Sequence, residues 1–301
     1  MKIHRWPPQL PGPVSLAIGN FDGVHRGHQQ LLARLQADRA AGYTPLLLSF
    51  YPHPKTLTQN LNPPLISNLR DRARWLAHFG LEHWLLLAFN RALMQLRPSQ
   101  FIAQYLQPLG VERLHVGEDF RFGYRGAGSV ETLRRQKFLR VEALPPVCAD
   151  DGTRISSSDI RAALAAHDFP RVEALLGHEF TLSGHVRHGF QRGRQLNAPT
   201  ANLAVPDNWA LANGVYIVRM GEVWGVANVG TAPTFGGGRR LLEAHFLRPV
   251  GNLYGQVISL SLKHFLRPEK RFTSSDALRL QIQTDIEITQ NYLKEQAHER
   301  L

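Results

Sequence analysis

The chain has 301 residues, 43% of them hydrophobic, which is enough material for more than one core and predicts two domains. Its 35 Lys and Arg against 24 Asp and Glu give a formal net charge of +11. The arginines are scattered in ones and twos, with no basic run and no RNP-type or zinc-finger pattern, so nucleic acid is not expected as a partner and small polyphosphates suffice to explain the charge. No run of roughly 18 apolar residues occurs and the first residues lack the apolar core of a signal peptide, so a cytoplasmic protein with no membrane partner is expected. One cysteine, Cys148, excludes an intrachain disulfide and a Cys-rich zinc site, and reads as a packing residue.

In chain order, the apolar run Val14 to Ile18 predicts a buried strand, and helical spacing resumes after Gln29. The intervening Gly19-Asn20-Phe21-Asp22-Gly23-Val24-His25-Arg26-Gly27-His28 therefore falls on a strand-to-helix turn. Free N–H groups and the helix dipole favour an anion there, and Gly23 and Gly27 allow close backbone approach. His25 and His28 add donors without a permanent charge. Leu46 to Phe50, Trp84 to Phe89, Leu114 to Val116 and Phe138 to Val141 are further strand candidates. Between them Gln30 to Ala41, Leu69 to Phe79 and Ser99 to Gln107 read as helices, with Gly42 and Gly80 as stops. This βα alternation predicts a mostly parallel sheet with ligands at the carboxyl ends of its strands.

Other segments fit that edge. Phe50-Tyr51-Pro52-His53-Pro54 predicts an extended turn presenting His53, and Gly117-Glu118-Asp119-Phe120-Arg121-Phe122-Gly123 follows the strand at Leu114. In Arg154-Ile155-Ser156-Ser157-Ser158-Asp159-Ile160-Arg161, serines precede a helical pattern. They read as an N-cap or as a phosphate site, which share one geometry.

Near Gly177 the pattern changes. Phe180 to Val186, Gly214 to Met220, Val223 to Asn228, Leu241 to Phe246 and Val257 to Leu262 read as consecutive strands, predicting an antiparallel barrel or sandwich. A final helix from Ser274 places Leu278, Ile282, Ile286 and Leu293 on one face. The stretch Gly184 to Asn202, with Gly189, Gly193 and Ala198-Pro199-Thr200-Ala201-Asn202, predicts a phosphate loop in which Thr200 serves Mg²⁺ and Asn202 a ligand oxygen; it is not a Walker A. Glu243 alternates with apolar neighbours and is either a half-exposed strand residue or a general base.

Together, GNFDGVHRGH, FYPHP, GEDFRFG, ISSSDIR, PTANL and the Glu243 strand followed by LYGQ and LRPEKRF resemble the bacterial bifunctional riboflavin kinase/FMN adenylyltransferase family over nearly the whole chain. The resemblance implies a Rossmann-like α/β nucleotidyltransferase domain over residues 1–176 and a flavokinase barrel with a C-terminal helix over 177–301. Both use Mg²⁺ and ATP, with riboflavin and FMN as partners and no obligate protein partner. By position, His25 and His28 look like the catalytic HxGH histidines. Gly19, Phe21, Gly23, Gly27, Ser157, Ser158 and Arg161 resemble its phosphate-binding positions, and His53, Asp119 and Arg121 its flavin side, with Asp119 matching a position that helps hold flavin or adenine nucleotide. In the barrel, Gly193, Thr200 and Asn202 look like ATP ligands, the last two also holding metal, and Glu243 like the base. Asn197 stands where a glycine is usual, and Arg248 to Asn252 lacks the usual acidic residues. That loop motivates an alternative, an adenylyltransferase with a non-catalytic barrel. The basic charge motivates another, a flavin- or RNA-binding regulator on the same fold.

Overall fold

The computed structural model describes residues 1–187, 200–232 and 239–298, so Gly189, Gly193, Asn197 and Pro199 lie outside the described residues. By contacts the chain forms two compact units: Met1–Pro64 with Arg72–Asp159 and Leu175–Gly177, and Leu65–Asp71 with Ile160–Ala174 and His178–Leu301.

In the first unit, β1 (Lys2–His4), β2 (Val14–Ile18), α1 (Arg26–Ala40), β3 (Thr44–Tyr51), α2 (Pro54–Thr58), α3 (Leu69–His78) and β4 (His83–Ala88) come first. Then follow α4 (Arg91–Met94), α5 (Pro98–Phe101) running on into a π-helical turn, β5 (Val111–Gly117), the small hairpin of β6 (Arg121–Phe122) and β7 (Gly128–Ser129), α6 (Val130–Arg134) and β8 (Arg140–Leu144). The helices α7 (Ser157–Ala165) and α8 (Phe169–Leu176) come next, their residues divided between the units.

The main sheet has the order β1-β4-β3-β2-β5-β8 and every pairing in it is parallel. Both faces are buried, as a parallel sheet requires. Val14, Leu16, Ile18, Leu46, Leu48, Leu85 and Leu87 join one core with Phe101, Leu106 and Leu133. Ala17, Leu47 and Trp84 join the other with Leu31, Leu32 and Leu35 of α1 and Leu76 of α3. Gly42 and Gly80 take φ of +88° and +83°, the left-handed geometry that ends a helix. Winding reverses between β2 and β5, the switch point at whose carboxyl ends sheets of this kind bind their ligands.

The expected turn after β3 differs: His53 caps a short helix, its Nδ1 accepting from Lys55 N at 3.1 Å, because Pro54 supplies a ready first helical φ. The strand expected at Phe138 begins two residues later, at Arg140, and Cys148 is exposed rather than packed.

The second unit is a closed antiparallel barrel, β10-β13-β12-β11-β14-β9, built from β9 (Thr181–Arg187), β10 (Thr200–Ala204), β11 (Gly214–Met220), β12 (Val223–Ala232), β13 (Arg239–Phe246) and β14 (Val257–Arg267). The helix α9 (Ser275–His298) packs on β12. Thr200 to Asn202, expected as the end of a loop, are the start of β10 instead, because register with β13 satisfies their backbone. Leu278, Ile282, Ile286 and Leu293 of α9 are half-buried as expected. The same face buries Asp285, which receives Arg267 Nε at 2.9 Å and Nη2 at 2.7 Å.

Candidate functional site

The first candidate site is the turn between β2 and α1. Phe21 and Val24 have φ of +53° and +45°, a region L-residues avoid and a β-branched residue most of all. Such strain costs on the order of 1–3 kcal/mol per residue and persists only where surroundings hold it. Here both side chains are fully buried in the core beneath α1. The turn brings His25 to the N-cap of α1, where its Nδ1 accepts from His28 N at 3.4 Å, leaving Nε2 to carry the proton in the neutral ring. His28 lies between Phe21, 4.5 Å away by ring centroid, and His25 at 3.6 Å. Burial first, then His25 and Arg72, holds the His28 imidazole well below the usual histidine range. The ring is therefore neutral near pH 7, and its Nδ1 is buried without a hydrogen-bond partner among the described residues.

Arg72 of α3 closes the turn from beneath, donating to Asn20 O at 3.0 Å and to the Asp22 carboxylate at 3.0 Å, with both side chains nearly buried. Ser157 Oγ donates to Asp22 O at 3.5 Å. A Cβ on Gly27 would stand 3.2 Å from the His25 ring, closer than side chains ordinarily come, and 3.8 Å from Ile155 O, so any larger residue would press on that imidazole. The histidine turn and the serine segment thus meet. Within that segment Ser156 is the cap, its Oγ accepting from Asp159 N at 3.4 Å, which leaves Ser157 and the exposed Ser158 in the first turn of α7. Arg161 follows half-buried on the same helix. Asp119 is tied to this edge by its ion pair with Arg154, at 2.6 Å, while Arg121 is exposed on β6. His53 is at the end of β3, engaged in its cap. Sequence reading missed Arg72 and Asp22, because a buried ion pair between residues so distant leaves no periodic signal.

The second candidate site is one face of the barrel. Leu242, Ala244 and Phe246 of β13 point into the barrel core with Ala201, Leu203, Ala227 and Val229. Strand alternation puts Glu243 and His245 on the opposite face. Register places Asn202 and Asn228 on either side of Glu243, and Thr200 and Val226 on either side of His245. Glu243 is half-buried, and Asn202 is 7% exposed with its Oδ1 buried and without a hydrogen-bond partner among the described residues. Burial also lowers the His245 pKa below its ordinary value. Asn228 and His245 carry no motif signal, and only register reveals them. An orphaned amide oxygen beside a carboxylate suits a hard cation such as Mg²⁺, which takes few protein oxygens and fills its shell with water and substrate phosphates. The described residues contain no cluster of three His, Cys, Asp or Glu able to hold a metal by themselves.

A parallel sheet with a histidine-bearing turn at its switch point, followed by a six-stranded barrel carrying a carboxylate between two amides, defines a nucleotide-handling transferase of two catalytic units. The FAD synthetase family model matches residues 8–159, and that of riboflavin kinase matches 176–293. The chain is 38% identical to the bifunctional riboflavin kinase/FMN adenylyltransferase of Pseudomonas fluorescens, covering 98% of each, and 39% identical to that of Escherichia coli K12 over 90% of each. The crystal structure of a macrolide-efflux protein from Streptococcus pneumoniae matches with a TM-score of 0.80 at 29% identity, over 96% of this chain and 99% of that one. No described helix is long and apolar enough to cross a membrane. The chain belongs to the bifunctional riboflavin kinase/FMN adenylyltransferase family.

Proposed function

We propose that this chain makes FAD from riboflavin in two ATP-consuming steps, the barrel phosphorylating riboflavin and the parallel-sheet unit adenylylating FMN. In the barrel, Glu243 accepts the proton of the riboflavin 5′-hydroxyl as its oxygen attacks the γ-phosphorus of ATP and ADP leaves. Thr200 and Asn202 would hold Mg²⁺, and Gly193, which lies outside the described residues, is assigned to phosphate binding by the family resemblance alone. Bound there, Mg²⁺ supplies neutralisation of charge on the transferring phosphoryl group. On the sheet, an FMN phosphate oxygen attacks the α-phosphorus and pyrophosphate departs. His28, neutral and with Nδ1 unpartnered, donates to the phosphate oxygens, and His25 adds its Nε2 proton. Gly19, Phe21, Gly23 and Gly27 shape the anion turn, Ser157, Ser158 and Arg161 receive the other phosphates, and His53, Asp119 and Arg121 line the flavin side.

The observation that carries this reading is the meeting of the histidine turn and the serine segment at the sheet's switch point, which supports reading them as one anion site. We place the domain boundary between Leu176 and Gly177, supported by the start of the riboflavin kinase match at residue 176. We place the protein in the cytoplasm, with riboflavin, FMN and ATP as its partners. Incubating the pure protein with riboflavin, ATP and Mg²⁺ and separating the flavins is the test: FMN and then FAD are expected. FAD only from supplied FMN would leave the barrel non-catalytic.

A further inference from the structure

On the barrel face that carries Glu243, His245 holds the next position along β13, and its cross-strand partner is Thr200 of β10. Cross-strand partners stand roughly 5 Å apart at Cβ, so the imidazole is within reach of whatever position 200 holds. The neighbouring positions on β13 are filled by Ala244 and Phe246, which face the barrel core, so His245 is not part of that core. Its Nδ1 is nonetheless buried and has no hydrogen-bond partner among the described residues. A buried polar atom left unsatisfied costs about 1–3 kcal/mol and calls for a reason. The described cross-strand neighbours offer none: Val226, on its other side in β12, cannot accept or donate through its side chain.

We propose that His245 is an ATP-binding residue of the kinase site, its Nδ1–H donating to a phosphate oxygen of the nucleotide held at Thr200 and Asn202. The proposal rests on the barrel being the riboflavin kinase. A hydrogen bond to the nucleotide made equally before and during phosphoryl transfer raises KM when lost and leaves kcat alone. It also belongs to the nucleotide side, so riboflavin affinity is unaffected.

The test uses the full chain and three substitutions. His245→Leu removes both ring nitrogens, His245→Asn keeps a donor near the position of Nδ1, and His245→Gln keeps one near that of Nε2. FMN formation by His245→Leu is expected to show KM for ATP raised by about 10- to 100-fold, the range for a hydrogen bond to a charged group, with kcat within about threefold of the parent. Calorimetric titration with a non-hydrolysable ATP analogue should show the same loss. His245→Asn restores ATP affinity and His245→Gln does not. Parental KM for ATP in His245→Leu, a rise in KM for riboflavin instead, or equal losses in all three variants with a lowered melting temperature would each overturn the proposal. Glu243→Gln is run beside them. Absence of FMN formation by the parent chain overturns the kinase reading itself, parental FMN formation by Glu243→Gln overturns only the role of Glu243, and a parental KM for ATP in His245→Leu, in a chain that does form FMN, overturns only the role of His245.

Discussion

The two sites of this chain are built in opposite ways. The histidine turn is contiguous: residues 19–28 join one strand to one helix, and its groups are near in space because they are near in sequence. The barrel face is assembled from β10, β12 and β13, whose central residues Asn202, Asn228 and Glu243 become neighbours only through register. A one-residue slip of β13 would turn Glu243 into the core and bring Leu242 out, so this site depends on the whole barrel closing correctly. The turn depends instead on strain being held locally, by the burial of Phe21 and Val24 and by Arg72 beneath it.

The comparison is sharpest for single substitutions that separate the two activities. Glu243→Gln keeps shape and removes the proposed proton acceptor, so kcat for FMN formation should fall by roughly 10²- to 10⁴-fold. FAD formation from supplied FMN should persist. Measuring both products decides it, and FMN formation at the parental rate would return Glu243 to an ordinary strand residue.

Arg72→Met tests the local support of the turn. It leaves the Asp22 carboxylate buried without its cation, a change worth about 3–5 kcal/mol in comparable buried pairs. A urea melt should show that loss with FAD formation failing alongside it. Unchanged stability would mean that the ion pair does not hold the turn.

His28→Ala removes the unpartnered imidazole and should lower FAD formation by about 10²- to 10³-fold, the usual loss for one donor to a developing charge. FMN formation continues. Loss of both activities in a folded variant would contradict the independence of the sites.

The smallest effect concerns Glu179 in the second unit. Hydrogen bonds from Lys263, Ser261 and Arg219 outweigh the opposing effect of burial, which by itself would raise the pKa, and bring the Glu179 carboxyl from 4.5 down to about 2. A depressed carboxylate contributes stability that is complete above pH 4.5 and is lost as pH falls toward about 2. Glu179→Gln should therefore lower the melting temperature modestly at pH 7 and flatten its decline over that acid window. An unchanged acid limb would show that these partners are too solvated to matter.

Alternation of apolar strands with helical spacing determined the parallel sheet, and consecutive strand patterns determined the barrel, because side-chain periods of two and 3.6 are properties of the local chain. The histidine turn was legible for the same reason: Gly23, His25, Gly27 and His28 announce a strand-to-helix turn without reference to anything distant. Thr200, Asn202 and Glu243 were assigned their roles only by resemblance, and Thr200 to Asn202 read as the end of a loop where register makes them strand. Other features had no local signal at all. β1 pairs with β4 some eighty positions away (Ile3 with Trp84), Arg72 reaches Asp22, Asp285 is buried on α9 by Arg267, and Asn228 and His245 flank or follow the carboxylate. Each rests on chain segments far apart in sequence whose meeting is decided by packing and by the satisfaction of buried polar groups. Such choices exist only once the sheet and the barrel have closed.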